Sequence, residues 1–340
     1  MLKSLSSSGV AFGIVLTGLL SASSALAQSA PVRGQPLPGQ IGLQETATEM
    51  GHQISAMFNY GLMIPMTLIA LFVTALLVWV MIRYNARANP NPSKFTHNTM
   101  LEVIWIAIPT IIVLVLLVFA WRLIFFIDTQ PQRPGLVITA VGKQWRWGYE
   151  YDRYMPSADY AQVTAALAQG DQYEGDITTV GEYIDLAGLT YDSCSKKICG
   201  ESTDVIELGA GLDLAEVDNH MVIPSGTDVA FQVAADDVGH SFAMPSFGIK
   251  MDAWPGRVNY TWAHVDPGQE GIYIGQCSEI CGYGHAYMPI VIEVVTPEQF
   301  DLWVEAAHEQ ALASNGLEIP RVTDILGDQY WATQTAMVDR

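Results

Sequence analysis

Gly275-Gln-Cys-Ser-Glu-Ile-Cys-Gly-Tyr-Gly-His-Ala-Tyr-Met-Pro289 gathers two thiols, an imidazole and a thioether between Cys277 and Met288. Sulfur ligands combined with imidazole favour copper over magnesium or calcium. Cys277 and Cys281 are separated by three residues, so one short loop can aim both at a single metal unit. His285 and Met288 follow closely, and Gly282 and Gly284 permit a tight loop. A structural zinc site would want two separated Cys/His pairs, often as Cys-x-x-Cys. A c-type haem would need Cys-x-x-Cys-His, which is absent. Taken alone, the cysteine pair also reads as a disulfide in an exported protein. His285 and Met288 in the same loop weigh against that reading.

Upstream, Asp237-Val-Gly-His-Ser-Phe242 offers His240 at the end of a strand, about one hairpin before the cysteines. A lone His is more often a satisfied core residue than a ligand. Together, however, the two stretches resemble subunit II of the haem-copper cytochrome c oxidases, in its bacterial, CuA-containing form. The resemblance runs from about Asn59 to about Val295, with one insertion. It implies a dinuclear copper centre, CuA, with two copper ions bridged by Cys277 and Cys281. His240 and His285 would be terminal ligands, and Met288 and the backbone carbonyl of Glu279 weak axial ones. It further implies a magnesium ion held by the Glu279 carboxylate at the junction with subunit I. Trp145, in Trp145-Arg-Trp-Gly-Tyr-Glu-Tyr151, would receive electrons from cytochrome c. On the residues alone, that Trp reads as a strand aromatic sharing one face with Trp147, Tyr149 and Tyr151. Oxygen reduction to water, coupled to proton pumping, would belong to subunit I, with subunit III as a further partner.

The chain has 340 residues, 50% of them hydrophobic and only 15% charged, which suits one globular domain plus membrane segments. Sixteen basic and 35 acidic residues leave a net charge of -19, which argues against nucleic acid and for a basic partner. Residues 1–27 read as a secretory signal: Lys3, an apolar run from Val10 to Leu20, and Ala25-Leu-Ala27 at the cut. Residues 28–57 are Pro-, Gly- and Gln-rich at first and read as a loose exported arm. Residues 58–127 form a transmembrane hairpin. Phe58 to Ile82 and Val103 to Ile127 are each long enough to cross about 30 Å of hydrocarbon. Pro65 marks a bend in the first, and Pro109 lies inside the second. The connecting loop carries Arg83, Arg87 and Lys94 without an acid, which places it in the cytoplasm. Both mature termini and the metal loop then face the periplasm of a bacterial inner membrane. Thr99-Met-Leu-Glu102 reads as a capping box. The family resemblance also makes Glu102 the cytoplasmic mouth of a proton path, and the two readings are compatible.

From Leu136 the pattern turns to period-2 alternation: Val229, Phe231 and Val233, then Ile272 and Ile274, then Ile290, Ile292 and Val294. Pro224-Ser-Gly226, Pro255-Gly256 and Pro267-Gly268 punctuate it. This is an all-β sandwich or barrel over 134–296, and the resemblance makes it a cupredoxin-like Greek-key barrel. An acidic insertion at about 154–205 interrupts the domain. From Glu150 to Asp218 there are fifteen acids and three bases. Within it, Cys194 and Cys199 read as a local disulfide. Residues 297–340 form a C-terminal helix and tail. Thr296-Pro-Glu-Gln299 starts the helix, and Phe300, Trp303, Val304 and Ala307 are its apolar stripe. Glu150, Asp152 and Asp237 lie near Trp145 or His240 in sequence and are the expected docking acids for a basic cytochrome c. Three rivals remain. Nitrous oxide reductase would need a large additional catalytic domain. Quinol oxidase subunit II lacks the copper ligands. A membrane copper-delivery protein would leave His240, Met288 and the double span unexplained.

Overall fold

A computed structural model describes residues 32–170, 180–200, 212–314 and 319–327. The expected signal peptide lies outside the described residues, as does most of the tail.

Two long apolar helical stretches come first. The first runs from Glu49 to Arg83 as α1 (Glu49–Ala56), a π-helical segment (Met57–Met63) and α2 (Ile64–Arg83). Pro65 has no N–H for the carbonyl four residues back and its ring crowds that carbonyl. The wider π ladder lies immediately before it and is where the regular helix gives way. The second stretch, α3 (Thr99–Asp128), continues through Pro109. The most apolar window of each stretch is entirely unburied by the rest of the chain, as befits surfaces made for lipid or partner helices. The capping-box expectation at Thr99 is corrected. Asn98 is the N-cap, its Oδ1 accepting from Leu101 N at 3.2 Å, so Thr99 is already helical and Glu102 stands one position too far along to complete a box.

The exported domain is two six-stranded sheets. Its strands are β1 (Val32–Arg33), β2 (Leu136–Lys143), β3 (Arg146–Tyr154), β4 (Ile184–Asp185), β5 (Thr190–Ser193) and β6 (Met221–Pro224). They continue with β7 (Asp228–Ala235), β8 (His240–Met244), β9 (Ile249–Ala253), β10 (Asn259–His264), β11 (Gly271–Cys277) and β12 (Pro289–Val295). One sheet runs β6-β12-β11-β8-β9, with β1 also on β11; the other runs β10-β7-β2-β3-β4, with β5 also on β3. Strict alternation along β7 buries Val229, Phe231 and Val233. Strand β12 is buried throughout, the pattern of a strand covered on both faces. Trp147, Tyr149, Tyr151, Phe231 and Phe242 fill the space between the sheets.

The N-terminal arm is not loose. Strand β1 pairs in parallel with Ile272 and Tyr273. Ala47 N donates to Ser246 O, and Asp266 N donates to Ala47 O, both at 2.9 Å. Thr48 caps α1 through Gly51 N and also donates to Phe247 O, both at 2.9 Å. Such an arm shows no period in sequence because its order comes from pairing with strands more than 190 positions away. The other end of the hairpin is tied as well: Trp262 Nε1 donates to Ile127 O at 3.1 Å.

The insertion is built onto the second sheet. Helix α4 (Ser157–Gln169) buries Tyr160, Val163 and Ala166, β5 pairs with β3, and a short helix α5 (Lys196–Cys199) follows. Cys194 and Cys199 are disulfide-bonded, with their Cα atoms 6.1 Å apart. Helix α6 (Pro297–Ser314) opens on a reciprocal cap, Thr296 N to Gln299 Oε1 and Gln299 N to Thr296 Oγ1. It buries Phe300, Trp303, Val304 and Ala307. A final short helix, α7 (Val322–Leu326), packs against it.

Candidate metal centre

Register builds the site. Strands β8 and β11 are antiparallel, with Cys277 opposite Phe242, so the start of β8 lies beside the end of β11. His240 and Cys277 occupy those two ends. Two strands, β9 and β10, separate them in sequence rather than one hairpin. The chain then loops out from Cys277 and returns at Pro289, with Cys277 N donating to Met288 O at 3.4 Å. His285–Tyr287 is a single 3-10 turn on the return limb. Gly284 is needed for contact, because a Cβ there would lie 2.5 Å from the Trp145 ring.

Three expected side-chain donors, His240, His285 and Met288, and the Glu279 carbonyl converge on the two thiols. Cys277 Sγ lies 3.9 Å from Cys281 Sγ, 3.9 Å from His240 Nδ1 and 3.3 Å from Glu279 O. Cys281 Sγ lies 3.5 Å from His285 Nδ1 and 3.4 Å from Met288 Sδ. Both thiols are free and buried. A disulfide would need about 2.05 Å between the sulfurs, whereas two metal–thiolate bonds of about 2.3 Å each span the observed gap easily. His240, Cys277, Cys281 and Met288 are nearly inaccessible, while His285 is partly exposed at the rim. The soft donor set, its convergence and its burial all fit a copper centre.

Electrostatics push the two thiols in opposite directions. Burial opposes ionisation of Cys277, but hydrogen bonding with His240, with the Ser241 and Glu279 backbones and with Cys281 lowers its thiol below the ordinary value. Burial, and then the neighbouring Cys277 charge, push Cys281 up to about 12. One thiolate thus suppresses the other until a cation arrives to compensate both.

The surroundings correct one expectation and add to another. Trp145 does not share the strand face of Trp147, Tyr149 and Tyr151, because β3 begins only at Arg146. It sits half-exposed in the β2–β3 turn, its Nε1 donating to Cys281 O at 3.1 Å. Asp237 is exposed, and its carboxylate accepts from His240 Nε2 at 2.9 Å and from Gln144 N and Val238 N, each at 2.6 Å. It thereby orients the imidazole so that Nδ1 faces Cys277. Glu150 and Asp152 are exposed on β3. At roughly 3.3 Å per residue they stand about 13 and 20 Å along from Arg146. Glu102 is partly exposed in the first turn of α3, remote in sequence from the metal loop.

Several contributing residues escaped the sequence reading. Gln144 Nε2 donates to Cys281 O at 2.9 Å. Trp147 packs edge-on against the His240 ring, with centroids 6.0 Å apart, and its Nε1 donates to Met288 O at 3.4 Å. Gly142 admits the His240 ring, which a Cβ there would meet at 2.7 Å. Adjacency to Trp145 was the sole local signal for Gln144; the others have none.

Comparison with known proteins agrees with this geometry. Residues 36–123 match the profile of the cytochrome c oxidase subunit II transmembrane domain, and residues 203–295 that of its periplasmic domain. The probable cytochrome c oxidase subunit 2 of Rickettsia bellii is 38% identical over 282 residues, covering 83% of this chain and 88% of that one. Cytochrome c oxidase subunit 2 of Cereibacter sphaeroides is 34% identical over 294 residues, covering 85% and 88%. The crystal structure of the periplasmic domain of subunit II of cytochrome oxidase from Bradyrhizobium japonicum covers 54% of this chain and 99% of its own, at 33% identity and a TM-score of 0.36. Two apolar spans and a cupredoxin-like β domain with a C-terminal helix are therefore family features, and the chain belongs to the cytochrome c oxidase subunit II family.

Proposed function

We propose that this chain is the electron-accepting subunit of a cytochrome c oxidase in a bacterial inner membrane. It takes electrons from cytochrome c at a dinuclear copper centre and passes them to the haem-copper centre of subunit I. There, oxygen is reduced to water with proton pumping. The observation that carries this reading is the convergence of His240, His285, Met288 and the Glu279 carbonyl on the two buried thiols of Cys277 and Cys281.

When bound here, a two-copper unit would supply one-electron carriage with little rearrangement. The protein's part is to hold the donors still. Cys277 and Cys281 would supply the sulfur ligands, with His240 Nδ1 beside the first and His285 Nδ1 beside the second. Asp237 and Trp147 fix the His240 ring. Burial of His240, both thiols and Met288 limits access to the site, which suits passage of electrons without chemistry there. Trp145, half-exposed and bonded to the Cys281 carbonyl, joins the surface to a bridging ligand. The Glu279 carboxylate is the proposed magnesium ligand facing subunit I. Glu102 is the proposed cytoplasmic mouth of a proton path into it. Glu150, Asp152 and Asp237, all exposed, are the proposed docking acids for a basic cytochrome c, and subunit III and membrane lipid complete the surroundings.

Copper stoichiometry and paramagnetic resonance of the purified full-length chain test the proposal. Two coppers per chain with a mixed-valence signal are expected. One copper with full spectral character would instead make this a copper-delivery protein.

A further inference from the structure

We propose that the acidic insertion clamps the metal centre, with Asp192 and Ser195 as positioning residues. The inference rests on the reading of Cys277–Met288 as the copper site. Two grips arise from one short stretch of the insertion. In the first, the Asp192 carboxylate accepts from Lys143 Nζ at 3.1 Å and from Arg146 Nε at 2.7 Å. Those two cations flank Gln144 and Trp145, whose side chains both donate to Cys281 O. In the second, the buried Ser195 Oγ donates to Tyr287 O at 2.6 Å. Tyr287 lies between His285 and Met288. The insertion therefore holds the turn on one side of the thiols and the ligand loop on the other.

Ser195 is itself well anchored. Strand β5 places Ser193 opposite Trp147. Cys194 N donates to Asp218 Oδ1 at 2.7 Å, Asp218 N donates to Cys194 O at 3.1 Å, and Ser195 bridges to Val217. These bonds fix the grip from several directions without relying on the Cys194–Cys199 link. Asp192 is too exposed for its ion pairs to add much stability. Their effect is on position. Ser195 satisfies a loop carbonyl that packing would otherwise leave unpaired. Neither residue touches the metal donors; each acts through a backbone or a side chain that does.

The test uses the full-length chain in detergent with Ser195→Ala and Asp192→Asn. In the metal-free state, amide hydrogen exchange of residues 284–288 should quicken about fivefold in Ser195→Ala, the weight of one net hydrogen bond. In Asp192→Asn a smaller quickening, about twofold, should appear at residues 144–146. In the copper-loaded state, Ser195→Ala should alter the copper hyperfine splitting. Exchange and spectra that match the wild type overturn the clamp. So does a lowered melting temperature with both unchanged, which would make the insertion a stabilising element only. Should the wild type take up no copper, the functional reading fails separately, while the exchange measurement still decides the clamp.

Discussion

The ligand loop and the acidic insertion reach the same centre by opposite routes. The loop carries four side-chain donors within twelve positions, so a local spacing already aims them together. The insertion has no such pattern, and its contacts span 46 to 92 positions. Ligand identity is a local property. Ligand position is a distributed one, supplied by residues whose sequence context says nothing of metal. The lesson extends to Asp237, expected from the sequence as a docking acid, whose carboxylate in space also supports His240.

The sharpest way to break this comparison is in the loop. Cys277→Ser removes a shared sulfur, and copper content should fall from two per chain to one or none, with the mixed-valence signal lost. Retention of two coppers would show that the thiols do not bridge. A smaller effect is expected at the turn that both regions hold. Trp145→Ala should slow the transfer step from reduced cytochrome c by tenfold or more, while the salt dependence of the encounter rate stays as it is. Stopped-flow reduction at several ionic strengths separates the two, and a change in the salt slope alone would move Trp145 from transfer to docking.

The insertion should respond more mildly. Replacing both Cys194 and Cys199 with Ser opens only a short loop, so the loss of unfolding free energy should be about 2 kcal/mol. The copper spectrum should survive, because backbone pairing still holds Ser195. Chemical denaturation and absorption on the same sample check both halves. Loss of copper would make the disulfide part of the centre.

The smallest effect concerns pH. Burial works against the Asp192 charge, but hydrogen bonds from Arg146 and Lys143 outweigh it and hold its carboxyl below the usual range. Asp218 lies near enough to feel the same charge. Because the folded value is depressed, the unfolded chain binds more protons in between. The stabilisation is full above the ordinary carboxylate pKa and is lost as pH falls through the folded value. With Asp192 half-exposed, solvent screening limits it to about 0.5 kcal/mol. The stability gap between wild type and Asp192→Asn should therefore close on acidification. A gap that widens would reverse the assigned sign.

Much of the architecture was readable before any coordinates. Two runs of about 25 apolar residues announce spans because hydrocarbon imposes a length. Period-2 alternation announces strands because successive side chains point to opposite faces. The loop donors announce a soft-metal site because they share one short segment. Tertiary structure alone decided the rest. The register of β8 on β11 brings His240 to Cys277 across four strands. The start of β3 at Arg146 takes Trp145 off the aromatic face and sets it against the ligand loop. Asn98 rather than Thr99 begins the second span, because the cap must stand three residues before the amide it accepts from. The arm gains its order from a strand some 240 residues later. Ser195 meets Tyr287 because β5 adds to β3 beside the loop. Spacing along a chain dictates which side chains share a turn. Which turns meet depends on strand pairing and burial summed over the whole domain, and no short window of sequence records that sum.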